Sequence, residues 1–188
     1  MTSPFIARPA LLAGGDPDPL RATGRPVGWG VVSTGSIAGT VTGDLALLPD
    51  VTLAAVSSRR QAAAQEFADR FGFAAAYGDD GERSGLAQLL ADPAVEVVYV
   101  ATPHAQHADV VRAALEAGKH VLCEKPFTLN AGQAQELVDL ARARGLFLME
   151  AVWSRFLPAM QRVFELAADG SLGTVSYTHL TLPTILRV

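Results

Sequence analysis

From Val27 onward, short β-branched runs alternate with longer, alanine-rich amphipathic segments. The apolar runs predict strands at Val27–Val32, Val51–Val56, Ala74–Tyr77, Val95–Ala101, Val121–Cys123 and Leu146–Met149. The segments between them predict helices at Ser36–Leu48, Arg60–Phe71, Ser84–Ala91, His107–Ala117 and Asn130–Arg144. In the second of these helices, Ala63, Phe67 and Phe71 fall on one face. The punctuation agrees: Asp92-Pro93 stops the third helix, Gly118 and Gly145 close the next two, and Asn130 is an N-cap. Val95–Ala101 has little polar alternation, which is the signature of a strand covered on both faces. Strands alternating with helices of this length predict βαβ units around a doubly wound parallel sheet, an α/β fold.

Composition narrows the functional classes. A chain of 188 residues makes one domain, or one domain and part of a second, and 49% hydrophobic content supports a well-buried core. Net charge is −4 with acids and bases dispersed, so no basic stripe points to nucleic acid. No apolar run is long enough to cross a bilayer, so a membrane partner is not expected. The single cysteine, Cys123, excludes an intramolecular disulfide and a cysteine-based zinc site, and suits a cytoplasmic setting. Residues 1–25, interrupted by Pro4, Pro9, Pro17, Pro19 and a glycine pair, do not resemble a secretory signal and are expected to form a flexible extension.

The candidate chemistry lies at strand ends. The run Val121-Leu122-Cys123 empties directly into Glu124-Lys125-Pro126, and Pro126 holds Lys125 extended. Ligands of open parallel sheets bind just beyond such carboxyl ends. Ser33-Thr34-Gly35-Ser36-Ile37-Ala38 lies where the first strand hands over to the first helix. There Gly35 permits close backbone approach to a pyrophosphate and Ala38 permits close helix packing, while Ser33 replaces the first glycine of the usual pattern. After the second strand come Ser57-Ser58-Arg59-Arg60 and no nearby acid. An acid there would bind a ribose hydroxyl, whereas arginines grip a 2′-phosphate, so NADP is the preferred cofactor and NAD the other candidate.

These stretches, with Ala101-Thr102-Pro103-His104 and His107, resemble the glucose–fructose oxidoreductase / inositol dehydrogenase / MocA family over about Arg25 to Val175. Glu150-Ala151-Val152-Trp153-Ser154-Arg155-Phe156 is similar to the branch containing dihydrodiol and xylose dehydrogenases. The resemblance implies an NAD(P)-binding Rossmann fold at residues 26–150, with Ser33, Gly35, Ser36 and Ile37 around the pyrophosphate. It implies Ser58 and Arg59 at the adenosine ribose and its phosphate, and Thr102 and Pro103 along the middle of the cofactor. His104, which replaces an asparagine common in the family, and His107, which matches the family histidine that opens the next helix, are both counted among the implied cofactor-binding residues. A local reading of His107 is a helix-start histidine exposed to water. Lys125 is implied as the catalytic amine beside the nicotinamide, where desolvation next to a cation would lower its pKa. Glu124 would orient that lysine or touch the cofactor ribose, and the bond before Pro126 is expected to be cis.

The implied activity is hydride transfer between the nicotinamide and the CH–OH or C=O group of a sugar, cyclitol or diol, in a protein that could form a homo-oligomer. The resemblance implies a second, substrate-holding domain, which is expected to be missing from these 188 residues. Residues 151–175 are expected to bridge toward it, with Trp153 to Leu172 read as one helix. Residues 176–188 depart from the family pattern and are read as a non-native tail, so His179 is not counted as catalytic. The alternative function is a dinucleotide-binding fragment or sensor without turnover of its own.

Overall fold

The computed structural model describes residues 24–170 and 173. The expected extension at 1–25 lies outside them except for Gly24 and Arg25, and the expected tail at 176–188 lies wholly outside. The elements run β1 (Val27–Val32), α1 (Ser36–Leu45), β2 (Val51–Ser57), α2 (Gln61–Phe71), β3 (Ala75–Tyr77) and α3 (Gly85–Ala91). They continue with β4 (Val97–Val100), α4 (His107–Glu116), β5 (His120–Cys123), α5 (Ala131–Arg144) and β6 (Leu148–Glu150). All strands pair in parallel in the order β3-β2-β1-β4-β5-β6. This is the predicted doubly wound Rossmann sheet, and its direction of winding reverses between β1 and β4.

Consecutive strand residues point to opposite faces. Val31, Val56 and Tyr99 pack against Ala38 of α1 and Phe67 and Ala68 of α2. Val32, Val98, Val100 and Val121 pack instead against Val111 and Leu115 of α4 and Leu137 of α5. Both faces are therefore dry, which is why the strands read as unbroken apolar runs. Two glycines of β1 leave room for the neighbouring backbone. A Cβ on Gly28 would lie 1.8 Å from the Ala94 carbonyl oxygen, and one on Gly30 would lie 2.8 Å from Val95 Cγ1.

Several boundaries differ from expectation for local reasons. Helix α1 stops at Leu45 rather than Leu48, because the chain ahead of Pro49 tightens into i→i−3 bonds, Leu47 N–H to Asp44 O and Leu48 N–H to Leu45 O. Strand β4 begins at Val97, since Val95 N–H turns back to the Asp92 carbonyl. Strand β6 begins at Leu148, because Leu146 N–H still closes α5 on the Ala141 carbonyl. Asn130 caps α5 as predicted, its side chain accepting from Gln133 N–H at 3.0 Å, and Gly145 ends that helix at φ 64°.

The described residues divide into two compact units between Ala151 and Val152. In the second, the single helix expected from Trp153 to Leu172 is instead a 3₁₀ turn, Trp153–Phe156, followed by α6, Pro158–Ala168. Leu157, held extended at ψ 134° before Pro158, separates them, and the proline takes the first helical position, where its missing N–H leaves no bond unmade.

At the amino end of the sheet, Glu96 accepts from Arg25 and from Gly28 N–H at 3.1 Å. The Arg25 hydrogen bond, followed by that of Gly28, lowers its pKa from 4.5 to about 2. Because the folded value is depressed, this clamp stabilises the fold above pH 4.5 and loses its effect as pH falls toward 2. An Arg25→Ala variant should therefore be less stable than wild type at pH 6, with the two urea-denaturation curves converging toward pH 2. Replacing Gly28 by alanine meets backbone rather than a movable side chain. It should cost about 1–3 kcal/mol or more in urea denaturation, the range for overpacked sites.

Candidate functional site

The carboxyl edge of the sheet ends in one level row. Register pairs Val32 with Ser57 and Val100, Val100 with Cys123, and Cys123 with Glu150. Backbone bonds extend that row by one residue: Ser33 N–H to Ser57 O, Ala101 N–H to Val32 O, Glu124 N–H to Val100 O and Ala151 N–H to Cys123 O. With strands ~4.8 Å apart, the exits of β1 and β5 stand roughly 10 Å from each other across β4. The glycine turn and Glu124-Lys125 therefore leave the sheet on the same edge, on either side of the β4 exit.

At the β1 exit, Ser33 adopts φ 103°, a left-handed conformation that favours glycine. Its hydroxyl accepts a 3.2 Å bond from Gly35 N–H, offsetting part of the strain. Gly35 is the N-cap of α1 but has no side chain to cap with, and its carbonyl accepts the first helical bond, from Gly39. The amides of Ser36, Ile37 and Ala38 thus have no intrahelical acceptor. No acid occupies the first turn of α1, so its positive end is not neutralised. A cavity of about 320 Å³ lies against this turn, lined by Thr34, Gly35, Ser36, Gly39, Thr40, Phe67 and Arg70. Arg70, which sequence patterning did not single out, lies at the end of α2 and also stacks over Phe71. Donors aimed at an unneutralised helix start suit a ligand bearing anionic oxygens.

At the β2 exit, Ser58 is half-buried, with its N–H on the Tyr77 carbonyl, while Arg59 and Arg60 are exposed. Gln61, not an arginine, ties the start of α2 to the β3 exit: its amide nitrogen reaches Ala76 O at 3.0 Å and its oxygen accepts from Gly78 N–H at 2.5 Å. Both guanidiniums are left free of that structural work.

Beyond β4, Thr102 Oγ1 is buried and has no hydrogen-bond partner among the described residues. Pro103 and His104 are exposed. His107 is not the solvent-facing residue that its helix-start position suggests. It is fully buried. Its Nδ1 lies 2.8 Å from Pro126 O and its Nε2 2.9 Å from Thr102 O, so neither ring nitrogen is left for a ligand. Position in α4 alone carried no sign of these partners, because both carbonyls come from loops outside the helix.

Beyond β5, the Lys125–Pro126 bond is cis and the Lys125 side chain is exposed. Glu124 is buried, accepting from Tyr99 Oη at 2.7 Å and from Lys125 N–H at 3.1 Å. It therefore holds the lysine's backbone, not its amine. Glu150 Oε1 accepts from Phe127 N–H at 2.8 Å. Tyr99 and Glu150 were not legible as site residues: one lies within a run of valines, and the other ends a strand too short to stand out. Burial, followed by the hydrogen bond and charge of Glu124, raises the Tyr99 pKa, so the phenol stays a donor. Burial, then the Glu124 and Glu150 charges, pushes the Cys123 thiol up to about 12, which leaves it inert.

A family model described as an oxidoreductase family with an NAD-binding Rossmann fold matches residues 27–152. The chain is 46% identical over 147 residues to the trans-1,2-dihydrobenzene-1,2-diol dehydrogenase of Mus musculus, covering 77% of this chain and 42% of that enzyme. It is 44% identical over 168 residues to the NADP(+) D-xylose 1-dehydrogenase of Hypocrea jecorina, covering 84% and 42% respectively. Among solved structures, a 3-ketoreductase from Actinomadura kijaniata in complex with NADP matches with a TM-score of 0.69 and 35% identity, over 78% of this chain and 44% of that one. The chain thus spans 42% of the length of the curated relatives it matches.

The strain at Ser33 makes an ordered prediction for thermal unfolding. Both Ser33→Gly and Ser33→Ala lose the hydroxyl bond, but only glycine also relieves the positive φ, so the alanine variant should melt below wild type and below the glycine variant, the two variants differing by about 1–3 kcal/mol. An alanine variant at least as stable as wild type would contradict this account of the turn.

Proposed function

The chain belongs to the Gfo/Idh/MocA oxidoreductase family, built on an NAD-binding Rossmann fold, and from that premise we propose that it is the cofactor-binding half of an NADP-dependent oxidoreductase. The reaction is hydride transfer between the nicotinamide and the CH–OH or C=O group of a sugar, cyclitol or diol. The observation that carries this reading is the common edge shared by the Gly35 turn and Lys125. An amine at that edge has no structural duty in a passive nucleotide holder.

Ser33, Gly35, Ser36 and Ile37 would hold the pyrophosphate through the amides at the start of α1. Ser58 and Arg59 would take the adenosine ribose and its 2′-phosphate, which favours NADP over NAD. Thr102 and Pro103 would line the middle of the cofactor, and the unpartnered Thr102 Oγ1 supports a polar contact there. His104, exposed beside them, is the remaining candidate contact. NADP, when bound, supplies the two-electron acceptor or donor. Lys125 Nζ would take or relay the hydroxyl proton in oxidation, and its ammonium would stabilise the developing alkoxide in reduction. Because Lys125 is exposed, the water exclusion its role needs would come from the bound cofactor and a second domain.

Residues 151–175 would lead toward that domain, which would carry most substrate contacts. The two curated relatives are named for a cyclic diol and an aldose, and each name carries a carbinol carbon. A second reading, a dinucleotide-binding module with no turnover of its own, is favoured for the 188 residues alone by their coverage of 42% of those relatives.

Calorimetric titration of the chain should show NADP bound more tightly than NAD. Arg59→Ala should weaken NADP by about 10- to 100-fold, the worth of a charge-assisted phosphate contact, and leave NAD nearly unchanged. Equal losses for both would refute the phosphate role. In the two-domain protein, Lys125→Ala should lower kcat by about 10²- to 10⁴-fold with NADP affinity kept, the scale of general acid–base catalysis. Retained turnover would remove Lys125 from the chemistry.

A further inference from the structure

The turn that carries Lys125 is held by side chains from other parts of the fold. Glu124, itself fixed by Tyr99, takes Lys125 N–H, and Glu150 takes Phe127 N–H. His107 differs from both. Its ring spans two loops, one nitrogen on the carbonyl of Pro126 in the lysine turn and the other on the carbonyl of Thr102 at the β4 exit. Those loops border the place where the cofactor and the amine would meet. We propose that His107 is a positioning residue for Lys125: a buried ring that sets the spacing between the β4 exit loop and the lysine turn.

The inference rests on the reading of Lys125 as the catalytic amine and adds what holds that amine in register. The chemistry suits a spacer. An imidazole is rigid and planar, with its two nitrogens at fixed separation, whereas an amide side chain carries its donors on a single nitrogen. Full burial excludes water from competing for either carbonyl. A neutral ring has one N–H, so it donates to one of the two carbonyls, and the tautomer sets which one. The titratable groups on the elements around it are His104, then Asp109, Arg112 and Glu116 on its own helix, and Cys123, Glu124, Lys125 and Glu150. Among the described residues none of them hydrogen-bonds the ring, whose two polar contacts are both main chain.

The chain contains two lysines, Lys119 and Lys125, which makes the test direct. Lys119 donates to the carbonyls of Asp92 and Val95, so its protection from an amine-acylating reagent reports whether the fold is intact. Lys125 reports the site. In the 188-residue chain, saturating NADP should protect Lys125 from acylation, measured by peptide mass spectrometry. His107→Phe keeps an aromatic ring but removes both ring nitrogens. It should leave NADP affinity and Lys119 protection close to wild type while cutting the NADP protection of Lys125 by about fivefold, the scale of one lost net hydrogen bond. His107→Gln, which restores one donor, should fall between them. Unchanged Lys125 protection in both variants, with Lys119 intact, would overturn the proposal.

If Lys119 is exposed in both variants, the wild-type chain decides by NMR. A slowly exchanging His107 ring proton, coupled through the hydrogen bond to the carbonyl carbon of Pro126 or Thr102, supports the spacer. A freely exchanging ring proton coupled to neither overturns it. Failure of the underlying reading looks different: wild-type Lys125 would then gain no protection from NADP at all.

Discussion

The site depends on a single row of backbone hydrogen bonds. Ser33, Ala101, Glu124 and Ala151 each donate to the strand beside them, one residue past the last paired position. That row fixes where β1, β4 and β5 end, and so fixes which residues leave the sheet at the same height. A slip of one residue in any of these strands would reverse the faces of its side chains. Tyr99, which must point toward the α1–α2 side to fill that core and still reach Glu124, would lose both roles. Apolar burial sets the register, and the register sets the crevice.

The residues around the crevice are divided between those that build it and those left uncommitted. Glu124, Tyr99, His107 and Glu150 spend their polar atoms on each other or on the main chain. Lys125, Arg59 and Arg60 are exposed, and the first-turn amides of α1 have no acid beside them. Positive and donor groups are therefore concentrated at the sheet edge of a chain whose net charge is −4. A dinucleotide phosphate is the kind of ligand that such an edge attracts.

Much of this was legible in the sequence, and the reasons differ by element. The strand–helix alternation carried the fold because the central strands are buried on both faces and α1 to α5 each bury one face. Asn130 and Gly145 marked the ends of α5 because capping is local chemistry. The glycine turn and Glu124-Lys125-Pro126 stood out because each breaks an apolar run abruptly. What stayed hidden was long-range. His107 admitted a solvent-exposed reading because its two acceptors lie outside its helix, five and 19 residues away, and Tyr99 looked like ordinary core because its partner lies 25 residues away. The boundary after Phe156 was misjudged for another reason: a proline that begins a helix and one that sits inside it look alike until the preceding residue is seen extended.

The central claim is that the Gly35 turn and Lys125 border one cofactor crevice, and backbone NMR of the isotopically labelled chain tests it directly. On titration with NADP, the amides of Gly35, Ser36 and Ile37 should shift along the same saturation curve as those of Thr102 and Lys125. Shifts confined to the glycine turn, with Thr102 and Lys125 unmoved at saturation, would contradict the claim.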